Sequence, residues 1–120
     1  VYDPYDHAAK LGLTVLHRPI RAAHEMWLPE HNTIVIRSGL RAVHDRSALA
    51  HGVAHAEYGH ERSGPKEETQ ADRLAAERLI DLGQCVELMK WAPDCHVLAR
   101  ELGVTTRLTR VFLNVHRLAG

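Results

Sequence analysis

Two histidines four residues apart, in His51-Gly52-Val53-Ala54-His55, followed by the acidic pair Glu67-Glu68 at the start of the next helical segment, constrain this chain more than any other feature. On a helix, positions i and i+4 are offset by only about 40°, so both imidazoles leave one face and can reach one point. Neutral imidazole is a good zinc ligand, and a carboxylate from a second helix completes a three-ligand set that leaves one coordination position open. Such a set requires two helices side by side. That pair is the expected centre of the fold.

The flanking residues support the two helices. From Asp45, the residues Ala48, Leu49, Val53, Ala54 and Tyr58 recur at helical spacing until Gly59 offers a stop. Arg62-Ser63-Gly64-Pro65 is a turn, after which Glu67 to Leu82 runs without a breaker and ends at Gly83. Within that run Glu68 and Asp72 are i and i+4 and share a face, whereas Glu67 is turned about 100° from Glu68. Ahead of the motif, Asp3-Pro4 reads as an N-cap with proline at the first helical position, and Gly12 stops that short helix. Leu13 to Leu16 is β-prone, and Glu25 to Leu28 and Thr33 to Arg37 form an expected hairpin around Pro29-Glu30-His31-Asn32. After Gly83, the segments Val86 to Ala92, Asp94 to Leu102 and Thr105 to Leu118 read as helices punctuated by Pro93 and Gly103. Strands first and helices afterwards predict a single α+β domain. Residues 1–83 would pack a short antiparallel sheet with the metal-site helix pair, and residues 84–120 would form a helical C-terminal extension.

Composition sets the outer bounds. The chain has 120 residues, 45% of them hydrophobic and 25% charged, as expected of one ordinary globular domain. Lys+Arg and Asp+Glu are both 15, so no bulk charge draws it to nucleic acid or an anionic membrane. Cys85 and Cys95 are too few for a disulfide framework and lack C-x-x-C spacing, which suits a reducing cytoplasm. No run approaches the roughly 20 apolar residues of a membrane span, and Val1 to Lys10 lacks a signal-peptide pattern.

The stretches Leu49-Ala50-His51-Gly52-Val53-Ala54-His55-Ala56-Glu57-Tyr58-Gly59-His60 and Glu68-Thr69-Gln70-Ala71-Asp72-Arg73-Leu74-Ala75-Ala76 follow one another in a recognisable order. Together they resemble the ImmA/IrrE family of zincin-type metallopeptidases. In that family the motif helix reads L-A-H-E-x-x-H-x-x-x-G-H and the next reads E-x-x-A-[ND]-x-F-A-A-x-L-L. The resemblance covers residues 1 to 82 and thins afterwards. It implies a zincin-like fold in which His51, His55 and Glu68 hold one Zn2+ and Asp72 accepts from a ligand imidazole, fixing its tautomer. It further implies a cytoplasmic endopeptidase, often found near mobile elements or phage genes, that cleaves a repressor or another DNA-binding regulator held extended along an edge strand. Manganese, iron or nickel could occupy the same ligands.

One residue departs from the pattern. Gly52 stands where the family carries the glutamate that takes a proton from the attacking water and passes it to the leaving amine. Without a positioned base, the proton transfers lose roughly 10²–10⁴-fold in rate, so little peptidase activity is expected from the helix as written. Glu57 faces the other side of the helix and is no substitute. Glycine in a helix interior costs about 1 kcal/mol relative to alanine, so it contributes nothing locally. Two origins stay open: an active enzyme altered at one position, or a pseudoenzyme that keeps the zinc for folding or for binding a partner.

The remaining candidates have blander readings. His60 ends the motif helix or lines the cleft, and Tyr58 packs at the helix end or hydrogen-bonds in the cleft. Met26 and Trp27 lie on a strand that would flank the cleft, with core packing the expectation and lining a substrate groove the alternative. His7, His17, His24, His31, His44, His96 and His116 read as surface residues, and Cys85 and Cys95 as buried thiols. Residues 94–118 have a helix-turn-helix rhythm around Ala99, Gly103 and Val104. Four arginines there face two acids, so packing against the metal domain is the expectation and nucleic-acid contact the alternative.

Overall fold

The computed structural model describes residues 1–118. Its elements run α1 (Pro4–Lys10), β1 (Thr14–Arg18), β2 (Glu25–Leu28), β3 (Thr33–Arg37), α2 (Ala42–Tyr58), α3 (Pro65–Leu79), α4 (Leu82–Met89), α5 (Cys95–Leu102) and α6 (Thr106–Val115). The α+β expectation holds. Helix α1 begins as its sequence predicts, with the Asp3 carboxylate accepting from the backbone N–H groups of Tyr5 and Asp6 and Pro4 just inside.

The β2–β3 hairpin is antiparallel, with Glu25 opposite Ile36 and Leu28 opposite Thr33. A single 3-10 turn over Pro29–His31 closes it, and Asn32 ends that turn in the left-handed region at φ 51. The sheet is nevertheless mixed rather than wholly antiparallel, because β1 joins the other side of β3 in parallel, from Thr14 opposite Thr33 to Arg18 opposite Arg37. Its strand order is therefore β1-β3-β2. Central β3 is buried from Thr33 to Ile36, the near-continuous apolar run of a covered strand. Strand β2 is left at an edge.

Helix α2 is the wall shared by two apolar clusters, and this is why every residue from Ser47 to His55 is buried. On one side Ala48, Leu49 and Val53 pack with Ile34, Ile36 and Ala8. On the other, Ala50 packs with Ala75, Ala76 and Leu79 of α3, and the same cluster continues into Leu98, Val104, Leu108 and Phe112 of the C-terminal helices. Where α2 and α3 meet, the buried residues are mostly alanines: Ala50, Ala54, Ala71, Ala75 and Ala76. Small side chains let the two backbones approach closely, and that approach carries the acids of α3 over to the histidines of α2. Gly59 stops α2 with φ 70, a conformation that favours glycine.

The C-terminal half differs from expectation in detail. Helix α3 ends at Leu79 rather than continuing to Leu82, since Ile80 is extended and Asp81 caps a new helix by accepting from the Gln84 N–H. Helices α5 and α6 are joined through Gly103, left-handed at φ 69, and Thr105 caps α6. In α6, Leu108, Thr109 and Phe112 are buried, and Leu108 and Phe112 join the cluster shared with α3. Among the described residues no helix is long and apolar enough to cross a membrane.

Candidate metal centre

Helix α2 projects His51 and His55 from one face, and their Nε2 atoms lie 3.1 Å apart. Glu68, in the first turn of α3, reaches across with Oε1 3.3 Å from His51 Nε2 and Oε2 2.5 Å from His55 Nε2. The three side chains read from the sequence are thus brought together. A fourth joins them: Glu25, the first residue of β2, whose Oε1 is 3.6 Å from His51 Nε2. Among the described residues, Glu25, His51, His55 and Glu68 form a group that could hold a metal ion, each offering one atom within 4.8 Å of the others. A tetrahedral site with bonds near 2.0–2.2 Å has ligand-to-ligand edges of about 3.3–3.6 Å. Separations of 3.1, 3.3 and 3.6 Å lie near those edges, whereas the 2.5 Å between His55 and Glu68 is shorter, so a small cation would need that one pair to part; the donors (two imidazole nitrogens and a carboxylate) suit a divalent one.

The outer nitrogens of both rings are also engaged. Asp72 places Oδ1 2.9 Å from His51 Nδ1, an ion-pair distance, although the ring nitrogen is aimed off that oxygen and does not meet hydrogen-bond geometry. Asp72 also receives Arg107 Nη1 of α6 at 2.5 Å, so the C-terminal helices reach the site. His55 Nδ1 faces His60 Nδ1 at 2.9 Å, and His60 Nε2 faces Gln70 Oε1 at 2.8 Å. His60 therefore backs His55. Tyr58 is half exposed and stacks flat on the His60 ring, with centroids 5.0 Å apart. Trp27 donates its indole N–H to the His60 carbonyl at 2.8 Å, tying β2 to the end of α2.

Electrostatics follow from burial and these neighbours. Burial pushes the Glu25 carboxyl up to about 7. Burial opposes the charged form of His51, but Asp72, Glu25 and Glu68 outweigh it and raise its pKa. His55 moves down, through burial first and then the adjacent His51. Asp72 is also desolvated, yet His51 and Arg107 hold it below the ordinary carboxylate range. The cluster is a buried set of lone pairs with too little positive charge of its own, and a cation would offset that.

Beside the cluster a cavity of about 460 Å³ opens between β2, α2 and the start of α6, with Glu25, His51 and Glu68 among the residues that line it. His24 and His44, taken as surface residues from sequence, meet edge-to-face at 5.5 Å on its wall. Three other histidines so read find carboxylates instead: His7 with Glu57, His17 with Asp45 and His116 with Glu77. Glu57 is occupied by His7 and Arg78 on the far side of α2, away from the cluster.

A family model described as the IrrE N-terminal-like domain, a peptidase family, matches residues 8–114. The chain belongs to that family. No curated protein matches it closely enough to count as a relative. The family match spans the sheet, the α2–α3 pair and nearly all of the C-terminal helices, so residues beyond Gly83 are part of the IrrE-type unit as well. A metallopeptidase-like function and the geometry of the cluster agree.

Proposed function

We propose that this chain is a zinc-dependent endopeptidase of the IrrE type that cuts a protein regulator, such as a repressor. His51, His55 and Glu68 would hold the ion, and Asp72 and His60 would fix the outer nitrogens of the two rings. The observation that carries the reading is the convergence of two Nε2 atoms and one carboxylate, 2.5–3.4 Å apart, beside an open cavity that His51 and Glu68 line. An ion held by these residues would supply Lewis-acid polarisation of a peptide carbonyl and a more acidic water, chemistry that suits a peptidase family.

The remaining work falls to the chain's own residues. Edge strand β2 meets the cavity at its first residue, Glu25, and its unpaired side suits an extended substrate added as a further strand. An open cavity beside a free strand suits an extended peptide segment, and a protein regulator is the source of it that the family resemblance implies. The two free cysteines, one buried and one half-buried, suit a reducing compartment such as the cytoplasm. Helix α2 by itself offers no base at position 52, and the loss of rate that this predicts depends on what fills the space beside Gly52. That space holds Glu25.

The test is metal analysis followed by cleavage. Purified protein reconstituted with Zn2+ should hold one equivalent and generate new termini in a proteome-derived peptide library. Both should be abolished by a chelator and by His55→Ala. Failure to bind the ion, or cleavage indifferent to the chelator, would overturn the reading.

A further inference from the structure

Position 52 is not empty. A Cβ built on Gly52 would stand 2.7 Å from Ile34 Cγ2 and 3.2 Å from Glu25 Oε2. Ile34 is fully buried in central strand β3, and the offending atom is a methyl on its branched Cβ, so it has little freedom to withdraw. A glutamate side chain leaving the helix here would enter the volume that the Glu25 carboxyl occupies. Helix glycine is intrinsically disfavoured, and here it is the residue that leaves room for its neighbours.

The Glu25 carboxyl spans the distance from that gap to the cluster. Its Oε2 lies against Gly52, buried and without a hydrogen-bond partner, while its Oε1 faces His51 Nε2 at 3.6 Å. A buried carboxyl oxygen is destabilising unless a proton, a water or an ion meets it. His51, His55 and Glu68 already supply three donors, and a hydrolytic site keeps the fourth position for water or substrate. Glu25 Oε1 stands slightly further from His51 than the Glu68 oxygens do.

We infer that Glu25, delivered from edge strand β2, is the general base of this site, and that Gly52 is the gap that admits it. The base has moved from helix to strand, and the carboxylate reaches the cluster from the opposite side of the same contact. This inference rests on the metallopeptidase reading. The step it assigns is balanced: the attacking water's oxygen bonds to the peptide carbonyl carbon as one of its protons passes to Glu25. Glu25 then gives that proton to the peptide nitrogen as the C–N bond breaks, leaving a carboxylic acid and an amine. Because β2 would also pair with the substrate backbone, the strand that aligns the scissile bond would carry the group that moves the proton.

The experiment compares four forms of the full chain: wild type, Glu25→Gln, Gly52→Glu, and Glu25→Ala/Ile34→Ala/Gly52→Glu, which clears the gap and puts the carboxylate back on the helix. Each is read by Zn2+ affinity in chelator competition and by kcat and KM on a cleaved library peptide. Glu25→Gln should keep Zn2+ affinity within about threefold and KM nearly unchanged while kcat falls roughly 10²–10⁴-fold. The relocated triple variant should recover part of that loss, whereas Gly52→Glu alone should not exceed wild type. A hundredfold loss of Zn2+ affinity in Glu25→Gln would make Glu25 a fourth ligand and overturn the inference, as would undiminished kcat. A wild type that is inert beside an active triple variant would overturn it too, leaving the metallopeptidase reading standing. Inactivity in every form would overturn both.

Discussion

His60 holds the outer nitrogen of His55, their Nδ1 atoms 2.9 Å apart, and is itself held by Gln70 and by the flat ring of Tyr58. A ring fixed from behind presents Nε2 to the cluster in one tautomer and one orientation. His60→Ala should therefore weaken Zn2+ binding about 10–100-fold without abolishing it, the usual cost of losing such a partner. His55→Ala should abolish it. Chelator competition on both variants checks this, and unchanged affinity in His60→Ala would show that the contact orients nothing.

Glycine-to-alanine exchange inside a helix ordinarily stabilises by about 1 kcal/mol. At Gly52 the sign should reverse. The added methyl meets Ile34 Cγ2 at 2.7 Å in a fully buried strand, and overpacking of this kind costs about 1–3 kcal/mol. Urea denaturation of metal-free Gly52→Ala should show a lower midpoint than wild type with the same slope. A higher midpoint would mean that β3 can yield, and the argument that this position requires glycine would fail.

Helical periodicity made legible that His51 and His55 share a face, as do Glu68 and Asp72, whereas the choice of Glu68 and Asp72 for the site came from the resemblance to the ImmA/IrrE family. Glu25 was not legible. Its meeting with Gly52 depends on where strand β2 crosses helix α2, and no spacing rule connects residues from two such elements. The usable signal was indirect: an acid opening an otherwise apolar strand, and a glycine inside an otherwise uninterrupted helix. The hairpin could be read from its local turn, whereas the parallel β1–β3 pairing is a long-range choice that made the sheet mixed. The end of α3 was misplaced because Asp81 outcompetes helix continuation by capping α4, a signal that sits inside an unbroken stretch of helix formers.

The two thiols occupy different environments. Cys85 is fully buried in the cluster that joins α3 to α5 and α6, and burial pushes its thiol up, whereas Cys95 at the start of α5 is half exposed. A water-soluble alkylating reagent should label one thiol per native chain and two after denaturation, with the native label mapping to Cys95 by peptide mass. Prompt labelling of Cys85 would show that the C-terminal helices open readily.

Tyr5 links α1 to the start of α2: its hydroxyl donates to Asp45 and lies 3.1 Å from His17 Nε2, with the Tyr5 and His17 rings stacked. Burial and then the Asp45 carboxylate raise the phenol pKa above its ordinary 10.0. A folded-state pKa above the unfolded one means that the stabilisation is fully present below pH 10 and declines as the pH rises beyond it, because the unfolded phenol releases its proton first. Tyr5→Phe should cost about 1 kcal/mol at pH 7, the worth of one hydrogen bond. The difference in melting temperature between the two proteins should hold from pH 7 to 9 and narrow from pH 10 upward, since phenylalanine has nothing to titrate. A gap that widened above pH 10 would mean that the folded state favours the phenolate, and the bond to Asp45 could not be as described.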